Sequence, residues 1–112
     1  MVNINYIPDK GDLIWLNFTP HSGHEQGGKR PALVLSPSKY NSKTGLLITC
    51  PITSKVKGYP FEVAVEGNKI FGVILSDQIK SFDWKTRKAV FIEKAKNETL
   101  EKVQNNILVL IQ

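Results

Sequence analysis

Apolar residues in this chain come only in short runs, each closed by glycine, proline or a polar turn, and that punctuation limits the folds open to it. The runs are Leu13–Phe18, Ala32–Leu35, Leu46–Ile52, Phe61–Val65, Ile70–Leu75 and Ala89–Glu93. All are too short for a typical helix, and they are rich in β-branched and aromatic residues, so they predict strands. In the first, Ile14, Leu16 and Phe18 share one face while Leu13 and Trp15 share the other. A strand apolar on both faces has to be covered on both. Phe61, Val63 and Val65 alternate with polar or small residues, which is the pattern of a half-buried strand.

The last segment changes period. Leu100, Val103, Ile107, Leu108 and Ile111 recur at helical spacing after Asn97, a good capping residue. Glu98 and Glu101 would complement the helix dipole in the first turn. Ser36-Pro37-Ser38 starts a short helical turn that Gly45 ends, with Ser36 as its cap. Pro51 implies that the third strand is ending or lies at an edge there. About six short strands and one closing helix predict a single domain over residues 1–112, built as a small β-barrel or a curled sheet.

Several functional classes fall away at this point. The N-terminus lacks a basic region followed by an apolar run, and no stretch approaches the roughly 20 apolar residues of a membrane helix. The expected setting is the cytoplasm. Cys50 is the only cysteine, so no internal disulfide is open to it, and its apolar neighbours predict a packed thiol. No metal-ligand spacing surrounds it, and neither a metal nor another cofactor is expected.

The net charge of +5 is modest, but it is unevenly spread. No acidic residue lies between Glu25 and Glu62, while Lys29, Arg30, Lys39, Lys43, Lys55 and Lys57 all do. Such a region suits a polyanion or an acidic protein tail. At its start, Gly23-His24-Glu25-Gln26-Gly27-Gly28-Lys29-Arg30-Pro31 sets a histidine, a carboxylate and an arginine in one glycine-rich loop ahead of a strand. By composition alone it suits a solvated hairpin tip as well as a site. Further on, Asp77 would share an extended face with Leu75 and Ile79, where a carboxylate needs partners or a shifted pKa.

Four blocks in order resemble the MazF/PemK (Kid) family of bacterial toxins. They are Gly11-Asp12-Leu13-Ile14-Trp15, Gly23-His24-Glu25-Gln26 through Arg30-Pro31-Ala32-Leu33-Val34-Leu35-Ser36, Pro51-Ile52-Thr53-Ser54, and Ser76-Asp77-Gln78. Lys57-Gly58-Tyr59-Pro60-Phe61-Glu62 and the C-terminal helix extend the likeness over nearly the whole chain. The resemblance implies a mainly β, SH3-like barrel with appended helices, forming a homodimer. It also implies the toxin of a type II toxin–antitoxin system, a metal-independent endoribonuclease that cuts single-stranded RNA, commonly mRNA, at short sequences. Its partner would be an acidic, MazE-like antitoxin tail, and the complex would bind its own operator DNA through the antitoxin.

RNA cleavage without a metal needs a base for the 2′-OH proton, a cation at the phosphorane and an acid for the leaving 5′-oxygen. In a MazF-type scheme the resemblance gives Arg30 the scissile phosphate, Thr53 its orientation, and Glu25 the role of base or of positioning Arg30. Arginine stays charged, which favours a phosphate clamp over a proton shuttle. A Kid/PemK-type scheme uses an aspartate, an arginine two residues before it and a histidine. Asp77 and His24 fit it, but Leu75 stands where the arginine belongs. Ser54, Lys55, Lys57, Tyr59, Gln78 and Lys80 are candidate RNA contacts on the loops. A gyrase-poison toxin of the same fold, like CcdB, and a non-catalytic RNA-binding module are the rival readings. Leu110-Ile111 on the last helix is the cue for the first of them.

Overall fold

A computed structural model describes residues 5–18 and 28–112. Among these, seven strands run β1 (Asp12–Asn17), β2 (Lys29–Val34), β3 (Leu46–Thr53), β4 (Glu62–Ala64), β5 (Val73–Leu75), β6 (Lys80–Asp83) and β7 (Val90–Lys94). Helix α1 (Ser38–Thr44) lies between β2 and β3, and α2 (Asn97–Ile111) closes the chain. The strands form one antiparallel sheet in the order β4-β5-β3-β2-β1-β7, with β6 also paired to β3. The mainly β architecture with a C-terminal helix is the one expected, built as a curled sheet whose path stays open. Glu93 on edge strand β7 spans part of the seam, its carboxylate accepting the N–H groups of Asn68 (3.1 Å) and Lys69 (2.9 Å). Those bonds hold the Glu93 carboxyl below its ordinary pKa.

The two faces of β1–β3 carry separate cores, and the period-two alternation of strands decides which residue joins which. Leu13, Leu33, Cys50 and Ile52 point to one side, where Val63, Val65, Ile74 and Val103 cover them. Ile14, Leu16, Ala32, Val34 and Leu47 point to the other, against Trp84. Trp15 packs on the first core, as its apolar neighbours suggest. Both faces of β1 are thus covered within one chain, so that strand gives no reason of its own for a second copy. Asn41 on α1, fully buried, knits the second core's edge. It donates to Pro8 O (2.8 Å) and Ser36 O (3.0 Å), and its backbone carbonyl accepts the Trp84 indole N–H (2.9 Å).

Local expectations shift in five places. Ser36 does not cap α1, because Pro37 is the cap residue. The Ser36 hydroxyl instead donates to Asn41 Oδ1 (2.6 Å) and accepts from Ile48 N (2.9 Å). Gly45 does end the helix, in the left-handed region at φ +75°. Pro51 lies within β3 and not at an edge. It falls between Thr49, the last residue paired with β6, and Ile52, the first paired with β5. At α2, Asn97 is the first helical residue and Lys96 the cap, and only Glu98 of the two acids falls in the first turn. The α2 stripe is buried at Val103 but exposed at Leu108 and Ile111. Asp77 leaves the extended path altogether and lies in a turn.

Candidate active site

Strand parity also builds a cleft. Where the second core runs out, the same alternate positions continue as Leu16 from β1 and Phe18 just beyond it, Arg30 and Ala32 from β2, Thr49 and Pro51 from β3, and Lys80 and Phe82 from β6. Together with Pro31 and Gln78 they enclose a cleft of about 170 Å³. Among the described residues, two cations and no acidic group line it, a charge balance that favours an anion. A larger groove of about 430 Å³ lies along α2, but its lining of Leu35, Ile48, Ile79, Gln104, Asn105, Ile107 and Leu108 carries no charge. Of these two, only the smaller cleft presents charged side chains among the described residues.

Arg30 sits on β2 opposite Leu16, with its guanidinium 5.8 Å from the centre of the Phe18 ring. Phe18 meets Phe82 edge to face at 5.1 Å, giving the cleft an aromatic floor. A second guanidinium, from Arg87, lies 4.5 Å from Phe18 and 5.5 Å from Phe82. The turn after β6 positions it. Asp83 accepts the N–H groups of Lys85 (3.1 Å) and Thr86 (2.9 Å), which holds its carboxyl below the ordinary range. Thr49 is buried and donates its hydroxyl to Lys80 O (3.1 Å), fixing the end of β6 at the rim.

Thr53 ends β3. The β2–β3 pairing runs from Val34–Thr49 to Ala32–Pro51, and Arg30 and Thr53 each lie two residues beyond its last pair, at the same end of the strands. The Thr53 hydroxyl accepts Lys55 N (3.1 Å) in a local turn. Gly72 packs so closely here, at φ +134°, that a Cβ would collide with the Thr53 carbonyl. Ser54, Lys55, Lys57 and Tyr59 are exposed on the loop after β3. Glu62 orders that loop by accepting Lys57 N (3.0 Å) and Gly58 N (2.9 Å), and the Lys57 ammonium lies 5.9 Å from the Tyr59 ring. None of these four lines the cleft itself.

Asp77 is exposed in the turn between β5 and β6, not held on an apolar face. The chain turns at Ser76, where Gln78 N donates to Leu75 O (3.0 Å), and that breaks the alternation on which the buried placement depended. Burial, with a smaller contribution from the Asp77 charge, pushes the Cys50 thiol up to about 12, so it is a packed, protonated thiol. His24 and Glu25 lie outside the described residues, as does His21. The structure thus brings Arg30, Gln78 and Lys80 together and sets Thr53 at the same end of the strands. Phe18, Phe82, Thr49 and Arg87 are the neighbours that the sequence reading missed. Only the parity of Phe18 with Ile14 and Leu16 hinted at the first.

A family model for PemK-like, MazF-like toxins of type II toxin–antitoxin systems matches residues 9–111. The chain is 49% identical over 106 residues to the endoribonuclease toxin MazF of Escherichia coli K12, covering 95% of this chain and 96% of that one. It is 32% identical over 110 residues to the endoribonuclease toxin ChpB of the same strain, covering 93% and 94%. A crystal structure of a MazE–MazF complex from Deinococcus radiodurans superposes with a TM-score of 0.90 at 50% identity, covering 96% of this chain and 97% of that one. With the match spanning the sheet, the cleft and both helices, the chain belongs to the family of PemK-like, MazF-like toxins of type II toxin–antitoxin systems.

Proposed function

We propose that this toxin is an endoribonuclease that cleaves single-stranded RNA within the cleft, by attack of a ribose 2′-oxygen on the adjacent phosphorus. The 2′-oxygen forms a new bond to phosphorus, the bond to the 5′-oxygen breaks, and no metal is needed. The products are a 2′,3′-cyclic phosphate and a 5′-hydroxyl. The observation that carries this reading is a guanidinium and an ammonium, Arg30 and Lys80, lining a cleft with an aromatic floor and, among the described residues, no acid. Arg30 clamps the phosphate as negative charge grows on its oxygens. Thr53, at the same end of the strands, orients the same group by hydrogen bonding. Phe18 and Phe82 offer stacking surface for bases, and Gln78 offers an amide for a base edge. The proton leaves the 2′-OH for a carboxylate or imidazole, with Glu25, His24 and Asp77 as the candidates, and one of the same groups returns a proton to the leaving oxygen. Ser54, Lys55, Lys57 and Tyr59 continue the path of the strand beyond the cleft.

The partners follow the same chemistry. The acid-free run from Lys29 to Phe61 suits an acidic antitoxin tail that competes with RNA, and the toxin acts as a homodimer in the cytoplasm. The antitoxin supplies the operator contact of the complex. Mapping the cut ends on a long RNA in EDTA buffer tests the reading. Defined cuts with cyclic-phosphate ends are expected. Intact RNA overturns it, and gyrase inhibition in a parallel assay would move the function to the CcdB-like alternative.

A further inference from the structure

The turn that carries Gln78 is pinned to helix α2 by a buried hydroxyl that the cleavage step does not use. Ser76 is fully buried, directly after β5. Its N–H donates to Phe61 O (3.1 Å), and its hydroxyl donates to the same carbonyl (2.5 Å). That hydroxyl also accepts from Asn106 Nδ2 on α2 (3.0 Å). The Ser76 carbonyl takes the weak Cys50 thiol contact (3.8 Å). Every polar group of Ser76 is therefore engaged, by three different parts of the chain.

The segment after Ser76 is divided between two concave surfaces. Gln78 and Lys80 line the charged cleft, while Ile79 between them lines the apolar groove beside α2. Gln78 N donates to Leu75 O (3.0 Å) and the Thr49 hydroxyl donates to Lys80 O (3.1 Å), so the end of the segment is set by β3 and its start by Ser76. Buried polar groups cost free energy unless paired, and a fully paired set selects one arrangement over its neighbours. Reading a base edge through an amide depends on hydrogen-bond distance and angle, so small displacements of Gln78 matter.

We propose that the Ser76–Asn106 pair positions Gln78 against the RNA base it reads, making α2 a determinant of sequence preference. This rests on the ribonuclease reading of the cleft. Ser76 and Asn106 are positioning residues, since neither lines the cleft.

The test takes Ser76→Ala, Asn106→Leu and the double variant of the full chain. Cut sites are mapped on a long RNA, kcat and KM are measured on the preferred and a one-base-altered oligonucleotide, and amide protection is followed at Gln78. Asn106→Leu, on a half-buried helix face, serves alone if Ser76→Ala does not fold. The expected result is a loss of about three- to tenfold in kcat/KM on the preferred sequence, the net worth of one neutral hydrogen bond. The altered sequence should lose less, so that preference narrows, and protection at Gln78 should fall. The double variant should match Ser76→Ala, because that change already removes the bond that Asn106→Leu removes, along with the one to Phe61 O. Unchanged ratios between the two sequences, or losses that multiply in the double variant, overturn the proposal. If the wild-type protein cuts no RNA, the ribonuclease reading falls and the claim on sequence preference with it. Protection at Gln78 would then decide the pin by itself, and unchanged protection would overturn that too.

Discussion

The two faces of β1, β2 and β3 are made of neighbouring residues in the same strands, yet one is a closed core and the other opens into a cleft. On the closed face Leu13, Leu33 and Cys50 are fully buried beneath α2 and the β4–β5 pair. On the other, Ile14, Leu16 and Val34 are equally buried, but two residues further along the strands the cover stops and Arg30 is exposed. Parity assigns a residue to a face, and the reach of the covering elements decides whether that face becomes core or site. A strand can therefore carry rigidity and chemistry at once. Arg30 inherits a fixed backbone from its buried neighbours Ala32 and Val34.

Substitutions on opposite faces should then separate stability from activity. Leu33→Ala, on the closed face, should cost about 2–5 kcal/mol of stability, seen as a lower denaturant midpoint. Whatever fraction stays folded should cleave RNA normally. Arg30→Ala, on the open face, should do the reverse. Removing a positioned donor from a developing charge costs about a hundred- to a thousandfold in rate, while an exposed site away from the core changes stability by roughly 0.5 kcal/mol or less. Single-turnover cleavage alongside thermal melting measures both. Cleavage retained by Arg30→Ala would remove the clamp, and a large drop in melting temperature would make the open face a structural one.

Arg87 lies between these extremes. Its guanidinium is half-buried against Phe18 and Phe82 and sits on the open face. Arg87→Met keeps much of the packing and removes the charge. It should lower stability by about 1 kcal/mol, the worth of a partly desolvated cation–π contact, and lower cleavage far less than Arg30→Ala. Equal losses in cleavage for the two variants would show that the floor holds two phosphate clamps and not one.

The sequence announced the strand faces because parity is a local property. Leu13/Trp15 against Ile14/Leu16/Phe18 needed only the spacing of apolar residues, and Gly45 needed only its place after a helical turn. The resemblance to a toxin family supplied Arg30 and Thr53, and an expected place on loops suggested Gln78 and Lys80. The hidden parts depend on long loops closing. Phe18 and Arg87 are far apart in sequence and meet through the β6–β7 turn, which no local pattern encodes. Asp77 was misplaced because period-two reasoning ran through a turn held by Ser76, whose buried contacts come from Phe61 and Asn106. A proline cannot donate to a ladder, which points to a strand end or an edge at Pro51. In the fold it sits where β3 changes partner from β6 to β5, so it interrupts neither.

The smallest expected effect concerns the seam of the closed face, and its sign follows from one carboxylate. Glu93 accepts the Asn68 and Lys69 amides, and these bonds hold its pKa below the ordinary 4.5. Folding then favours the ionised form, so its stabilisation is complete above about pH 4.5 and disappears as pH falls through the lower, folded value. Acid should therefore loosen the β4–β5 connection from β7 while the cleft, which has no lining acid among the described residues, keeps its shape. Protection factors at the Asn68 and Lys69 amides, corrected for intrinsic exchange, should drop between about pH 4.5 and the folded pKa, and those at Arg30 and Leu16 should hold. In Glu93→Gln the drop with pH should vanish, leaving weaker protection at every pH, because a neutral amide oxygen accepts these bonds less strongly than a carboxylate. Asp9 and Asp83 are also held low by backbone N–H groups, so the variant should retain a shallower acid dependence of global stability. An acid response that appears first at the cleft strands would reverse the comparison and make the closed face the more robust of the two for reasons other than this seam.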